Sequence, residues 1–472
     1  MVQSIYSTDP NAERPFIPSE KMVSEQEDWS FAHLTPTHTL WGPHGYHRYP
    51  AKFIPQLVRR IIDQYSAPDE RVGDPFLGSA TTGIEALRAK RYFYGSDIHP
   101  VAVLISKAKC TAIEPHILSL AWGKLENHLS TFPRIDRRTL TAEEIEYITS
   151  LPIAHASADE RFAYWFPANC RQVLSLILES IQAFTEEKIR IFFLCAFSNI
   201  LRRCSIWLSG STKPQKDLRK ILGDPVEEFS RQVQSMLKCN SLYWDDLQNW
   251  AGSIGDIEHR IHLVQEDIRH LSLADETLDL LVTSPPYATC YEYSQMHQLT
   301  ELWFERYNIF PSHHSSYSYI GTKVVSRRHV SIEPVRISTG SSSADEALQR
   351  LQSRLVDGVT GSVHREVKSL YYYFQDMYAA LRECARVVVK HKRLVLIVGD
   401  SYRRGVIIPT SHALCEMAES VGFELEQKIV RRVPGRVLVP TRDKTTGRFS
   451  SLAQSDTRVY PEEDILIFQR RS

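Results

Sequence analysis

The chain has 472 residues, 43% hydrophobic and 24% charged, with 56 basic residues against 56 acidic ones. That length implies one large domain with insertions or two domains, and the composition is that of an ordinary soluble globular protein. Overall charge predicts no polyanionic partner, so any nucleic-acid surface must come from local clustering.

No apolar run approaches the ~20 residues of a membrane span, and the opening MVQSIYSTDPNAERPF has no apolar signal-peptide segment. A cytoplasmic location without a membrane partner is the expectation. The eight cysteines are scattered with no CxxC pair, which reads as buried thiols in a reducing compartment and argues against a zinc site. Pro-Cys is absent, which disfavours a methylase whose cysteine attacks a ring carbon of cytosine.

In chain order, residues 1–40 read as an irregular lead-in. The segment from Trp41 through His47, Lys52 and Phe53 to Pro55 is dense in aromatics, histidines and prolines and passes into an amphipathic helix over Gln56 to Tyr65. It is either a helix entry with aromatic packing or a cover for one side of a ligand. Arg71 to Asp74 then reads as a strand, followed by a small-residue turn, Pro75-Phe76-Leu77-Gly78-Ser79-Ala80-Thr81-Thr82, and a helix with Ile84 and Leu87 facing the core. Such a turn lets backbone approach a ligand closely, but the Lys-Ser/Thr of a phosphate-binding P-loop is missing. A second strand ends at Asp97, about 20 residues past the glycine turn, where an acid accepts hydrogen bonds from ribose hydroxyls. An adenosyl cofactor lacking phosphates fits best.

After a helix over His99 to Cys110, residues 111–255 are helical in pattern and read as an inserted subdomain. Within it, Leu201 to Lys220 clusters cations around Ser and Thr, either to grip phosphates or as a solvated face. Ile261 to Val264 resumes the sheet and leads to Glu266 and Asp267, which suit an adenine amine or a helix cap. Leu278 to Val282 is a continuous apolar run that suits a strand buried on both faces; it ends in Thr283-Ser284-Pro285-Pro286-Tyr287. Ligands bind at the carboxyl ends of such strands. There the Ser284 hydroxyl and a carbonyl near Pro285 could accept the hydrogens of an exocyclic amine while Tyr287 stacks on a flipped base, or the motif is simply a proline turn.

Together, Asp74 to Thr82, Asp97, Asp267 and Thr283 to Tyr287 resemble the S-adenosylmethionine-dependent amino-group DNA methyltransferases. The resemblance covers residues 41–110 and 261–470. It implies an α/β, Rossmann-like seven-stranded sheet with helices on both faces, a cofactor-binding half at 41–110 and a catalytic half at 256–472, with the 111–255 subdomain between them.

It also implies S-adenosylmethionine held by Asp74, Phe76, Gly78, Ser79, Thr81, Thr82, Asp97 and Asp267, with a catalytic Ser284, Pro285, Pro286 and Tyr287 and no metal. In this family Ser-Pro-Pro-Tyr goes mostly with cytosine N4. The implied partner is double-stranded DNA, with a cognate restriction endonuclease a further candidate. An adenine-N6 enzyme shares the same features. A nonenzymatic DNA binder is the alternative from another class, because Ala80 stands where the family usually has glycine and its methyl could crowd the cofactor.

The remaining chain reads as follows. Tyr291, Tyr293, His297 and Trp303 lie on a helix beside the base pocket, with core packing the alternative for Trp303. Residues 306–345 carry Lys323, Arg327, Arg328 and Arg336 and form a target-recognition candidate or a disordered surface loop. A helix from His364 to Val387, a strand over Arg393 to Val398, a helix over His412 to Val421 stopped by Gly422, and a last hairpin complete the domain. Ile465 to Phe468 is expected near the sheet edge. Arg431, Arg432, Arg436, Arg442, Lys444 and Arg448 make a third basic island, and three such islands suggest a one-sided DNA cleft.

Overall fold

The computed structural model describes residues 28–49, 52–135, 139–151, 157–211, 214–251, 254–288, 293–310, 319–322, 337–353, 360–433 and 462–472. Nine strands are present among them: β1 (Arg71–Asp74), β2 (Tyr92–Asp97), β3 (Ile261–Gln265), β4 (Leu278–Thr283), β5 (Val388–Val398), β6 (Ser401–Arg403), β7 (Val406–Ile408), β8 (Phe423–Arg432) and β9 (Glu462–Arg470). Seven form one sheet in the order β3-β2-β1-β4-β5-β9-β8, while β6 and β7 pair separately. The β1–β5 pairings within the sheet are parallel, and β9 runs antiparallel between β5 and β8. The expected seven-stranded α/β sheet with helices on both faces is what forms.

Strand alternation builds the two faces. Leu394, Leu396 and Val398 of β5, Leu281 of β4, and Leu466 and Phe468 of β9 pack into a layer with the helices Ser342–Ser353, Thr360–Val387 and Thr410–Ser420. Val395, Ile397, Leu280, Val282, Ile465 and Ile467 point the opposite way, against the helices Pro55–Tyr65 and Thr81–Arg88. Residues 465–468 are therefore interior to the sheet, not at its edge. Four consecutive apolar residues, all 0% exposed, mark a strand covered on both faces.

Helices fill the interval between β2 and β3, including Pro115–Leu129, Ala168–Gln182, Glu187–Ile200 and Pro225–Gln248. They share a core with the sheet region, because their apolar faces pack with Tyr46, Tyr49, Val101, Ile105 and Trp303. Nor is the described part of the lead-in wholly irregular. Trp29 and Phe31 are buried, and the Arg60 guanidinium lies over both rings at 4.9 and 4.6 Å. Among the described residues no helix is long and apolar enough to cross a membrane.

Candidate active site

At the carboxyl ends of β1, β2, β3 and β4 the strand-to-helix turns open into one cleft, lined by Asp74, Phe76, Gly78, Ser79, Thr81, Asp97, Asp267, Ser284 and Pro286 among others. Motifs separated by two hundred residues thus share one wall because parallel neighbours end on the same side. Gly78 has φ +52, the left-handed region that glycine enters without a Cβ penalty. Its N–H donates to Asp97 Oδ2 at 2.9 Å, while His99 N donates to Oδ1 at 2.8 Å. Burial pushes the Asp97 carboxyl up to about 6.

Asp74 sits deeper, 1% exposed. Thr82 Oγ1 donates to its Oδ2 and Thr283 Oγ1 to its Oδ1, both at 2.7 Å, and Phe76 N donates to Oδ1 at 3.2 Å. One carboxylate therefore ties the glycine turn, the helix after it and the end of β4 together. Burial raises it to about 6, and those same bonds hold it lower than burial alone would. Thr82, expected at the cofactor, is fully buried and spends its hydroxyl on Asp74 instead of lining the cleft.

Pro285 is buried and Tyr287 half-buried; neither lines the cleft, and the Tyr287 hydroxyl donates to Glu463 Oε1 at 2.8 Å. Asp267 takes the capping role and also lines the cleft where an adenine amine is expected. It caps the short turn after β3, accepting from Arg269 N at 3.0 Å, with Arg269 Nη1 reaching on to Asp376 at 2.7 Å. His297 is 5% exposed and lies behind the lining, its ring 5.0 Å from Tyr49 and 5.1 Å from His99. Tyr291 lies outside the described residues, as do residues 311–318 and 323–336 of the recognition candidate and residues 434–461 with most of the third basic island.

Ala80 takes φ 58, ψ 36, so its backbone occupies the conformation that glycine would favour. The methyl, however, is 0% exposed and packs in the apolar layer with Leu57, Ile61 and Ile84, away from the cleft. Crowding of the cofactor, and the nonenzymatic alternative built on it, lose their ground.

Two cations of the 201–220 cluster turn inward, while Arg203, Lys216 and Arg219 stay exposed. Arg202 donates to Met296 O at 2.8 Å, Lys220 to Trp207 O at 2.7 Å, and Arg203 pairs with Glu228 at 3.1 Å. Arg431 of the third island is likewise buried, 3.3 Å from Glu463.

Several lining residues were not singled out from sequence: Tyr49, Ile98, His99, Ile268 and Tyr319. A signal was available for two of them. Asp97-Ile98 and Asp267-Ile268 repeat an acid followed by an aliphatic residue at the ends of adjacent parallel strands, which offers two apolar faces to a flat ring. Lys52 lines the cleft too, donating to His44 O at 2.8 Å, and burial lowers its ammonium to about 8. The cleft thus holds one lysine against three aspartates, a charge balance that rejects a polyphosphate and accepts a ligand with cationic centres. Ser79 Oγ and the Tyr319 hydroxyl are buried there without a partner among the described residues, as atoms reserved for a ligand would be.

A family model described as DNA methylase matches residues 7–108. Type II methyltransferase M.MvaI of Kocuria varians is 26% identical over 439 residues, 88% of this chain and 89% of that one. The chain is thus similar to DNA methylases over its first part and to a type II methyltransferase over most of its length. Type II methyltransferase M.BsoBI of Geobacillus stearothermophilus is 22% identical over 424 residues, covering 81% of this chain and 78% of the relative. The matched family model spans β1, the glycine turn and β2, the elements that carry Asp74, Gly78 and Asp97.

Proposed function

We propose that this protein is a DNA methyltransferase that transfers a methyl group from S-adenosylmethionine to the N4 amine of a cytosine flipped out of duplex DNA, at a specific site within a restriction-modification system. The observation that carries the reading is the presence of Ser284 in the same cleft as Gly78 and Asp97. The cleft residues fit the cofactor. Ile98 and Ile268 suit the adenine faces, Asp97 the ribose hydroxyls and Lys52 the carboxylate, while the three aspartates favour the cationic part. S-adenosylmethionine supplies an electrophilic methyl on a sulfonium.

The protein's own contribution is positioning and polarisation. An exocyclic amine is a weak nucleophile because its lone pair is delocalised into the ring. The Ser284 hydroxyl and a carbonyl beside it accept the two amino hydrogens, returning electron density to nitrogen, while Tyr287 supports the flipped base. Asp74, through Thr82 and Thr283, keeps the turn that orients the methyl donor in register with the turn that orients the amine. The departing amine proton passes to solvent or to a carboxylate of the cleft.

Incubation of the purified protein with labelled S-adenosylmethionine and unmethylated duplex DNA, followed by nucleoside mass spectrometry, tests this directly. N4-methylcytosine is expected. N6-methyladenine would overturn the base assignment while keeping the reaction class, and absence of transfer to any duplex would overturn both.

A further inference from the structure

A second pocket lies between helices of the β2–β3 interval and the helix that follows β4, and shares no residue with the cleft. It is lined by Arg171, Gln172 and Ser175 of the helix Ala168–Gln182, by Trp303 and Arg306 of the helix Tyr293–Arg306, and by Asp159, together with Phe162 and Ala168. Trp303 is 1% exposed, yet its indole Nε1 has no acceptor among the described residues. The ring cannot swing to find one, because the edges of Phe162, Phe166 and Phe197 lock it at centroid distances of 5.0, 5.5 and 5.6 Å. A buried N–H without a partner is costly unless a ligand accepts its hydrogen.

Arg171 buries a second such donor, its Nε. The 168–182 helix begins at this pocket behind Pro167, which brings no capping side chain, so the positive end of a 15-residue helix is directed there as well. The acid in the lining, Asp159, is 77% exposed and pairs with Arg306, leaving the lining with a net positive charge.

We propose that this pocket takes a phosphate of the DNA backbone, giving the helical region a fixed electrostatic hold on the duplex outside the catalytic cleft. The inference rests on the DNA-methyltransferase reading above. Trp303 and Arg306 stand on the helix that follows the Ser284–Tyr287 turn, and from Tyr293 to Trp303 that helix rises roughly 15 Å. That distance is about four to five phosphate steps along one strand, at roughly 3.4 Å each. The formal net charge is zero, and Arg202 and Lys220 of the 201–220 cluster are committed to internal carbonyls, so a discrete donor site of this kind adds to what the exposed cations offer a duplex.

The test is the salt dependence of duplex binding by the full-length protein and its Arg171→Ala and Gln172→Glu variants. Gln172 is exposed, and an added carboxylate near the start of the helix leaves helix stability intact, so weakened binding there reports repulsion of a phosphate, not misfolding. For Arg171→Ala the slope of log affinity against log salt should fall by about one, so the affinity lost between about 50 and about 200 mM salt shrinks roughly threefold. Gln172→Glu should weaken binding severalfold at low salt, with kcat at saturating DNA unchanged in both variants.

Wild-type-like slopes and affinities in both variants, with duplex binding by the wild type intact, would overturn the phosphate site alone. A wild type that binds no duplex would overturn the functional reading and this inference with it. Calorimetry with inorganic phosphate forms the second arm. Tight phosphate binding that Arg171→Ala abolishes, with DNA slopes unmoved, would assign the pocket to a free phosphate and reject the backbone contact.

Discussion

Thr283 Oγ1 donates to Asp74 Oδ1 at 2.7 Å across 209 positions of sequence. The residue before Ser284 is thereby bonded to the last residue of β1, and the cofactor turn and the candidate catalytic turn cannot move independently. Thr283→Val keeps the shape and removes the donor, leaving a buried carboxylate oxygen short of one partner at a cost of about 1–3 kcal/mol. Urea unfolding should show that loss. Cofactor affinity and turnover should fall together, and a variant as stable and active as the wild type would show that the clamp is dispensable.

Ser284→Ala should lower kcat by roughly a hundredfold or more while leaving the cofactor dissociation constant within about twofold, because the hydroxyl is assigned to the amine and not to the methyl donor. Single-turnover kinetics with a cofactor titration separate the two effects. Full activity in the variant would remove Ser284 from the mechanism.

Ala80→Gly relieves a left-handed alanine, worth about 1–2 kcal/mol, but loses a fully buried methyl, worth about 0.8 kcal/mol, and adds glycine's chain entropy, about 0.5–1 kcal/mol. These terms nearly offset, so stability should change by less than about 1 kcal/mol. Cofactor affinity should stay the same, since the methyl faces the apolar layer. A large gain in affinity would place the methyl in the cleft after all.

His297 is held neutral. Burial, with His47 and Arg202 nearby, lowers its pKa from 6.5 to about 3, and its Nε2 has no partner among the described residues. Between about pH 6.5 and about pH 3 the unfolded chain binds a proton that the folded chain refuses, so this group removes stability as pH falls. His297→Phe abolishes that term. Relative to wild type, the variant should therefore gain about 2 kcal/mol between pH 7.5 and pH 5, read from urea midpoints at the two pH values. A difference that does not grow on acidification would mean that His297 is protonated in the folded protein.

The strands could be read in the sequence because they are short, apolar and punctuated. β1, β2, β3 and β4 end at an acid or at a Ser-Pro-Pro turn, and those ends are where parallel strands place ligand contacts. Local pattern also sufficed for Gly78, Asp97 and Ser284 as cleft residues, since each sits at a fixed offset from a strand end. It did not suffice where the partner is distant. Whether Thr82 faces ligand or Asp74, whether Arg202 and Lys220 face solvent or backbone carbonyls, and whether Trp303 packs with its N–H unanswered depend on what lies opposite in space.

The sequence by itself determined the alternation, the turns and the residue chemistry at each strand end, because these follow from neighbours a few positions apart. Only the tertiary structure decided the insertion of β9 between β5 and β8, the inward turn of Arg202 and Lys220, and the burial of the Ala80 methyl. Each is a choice of partner among residues scores or hundreds of positions apart, made by close packing and by the cost of leaving a polar group unpaired.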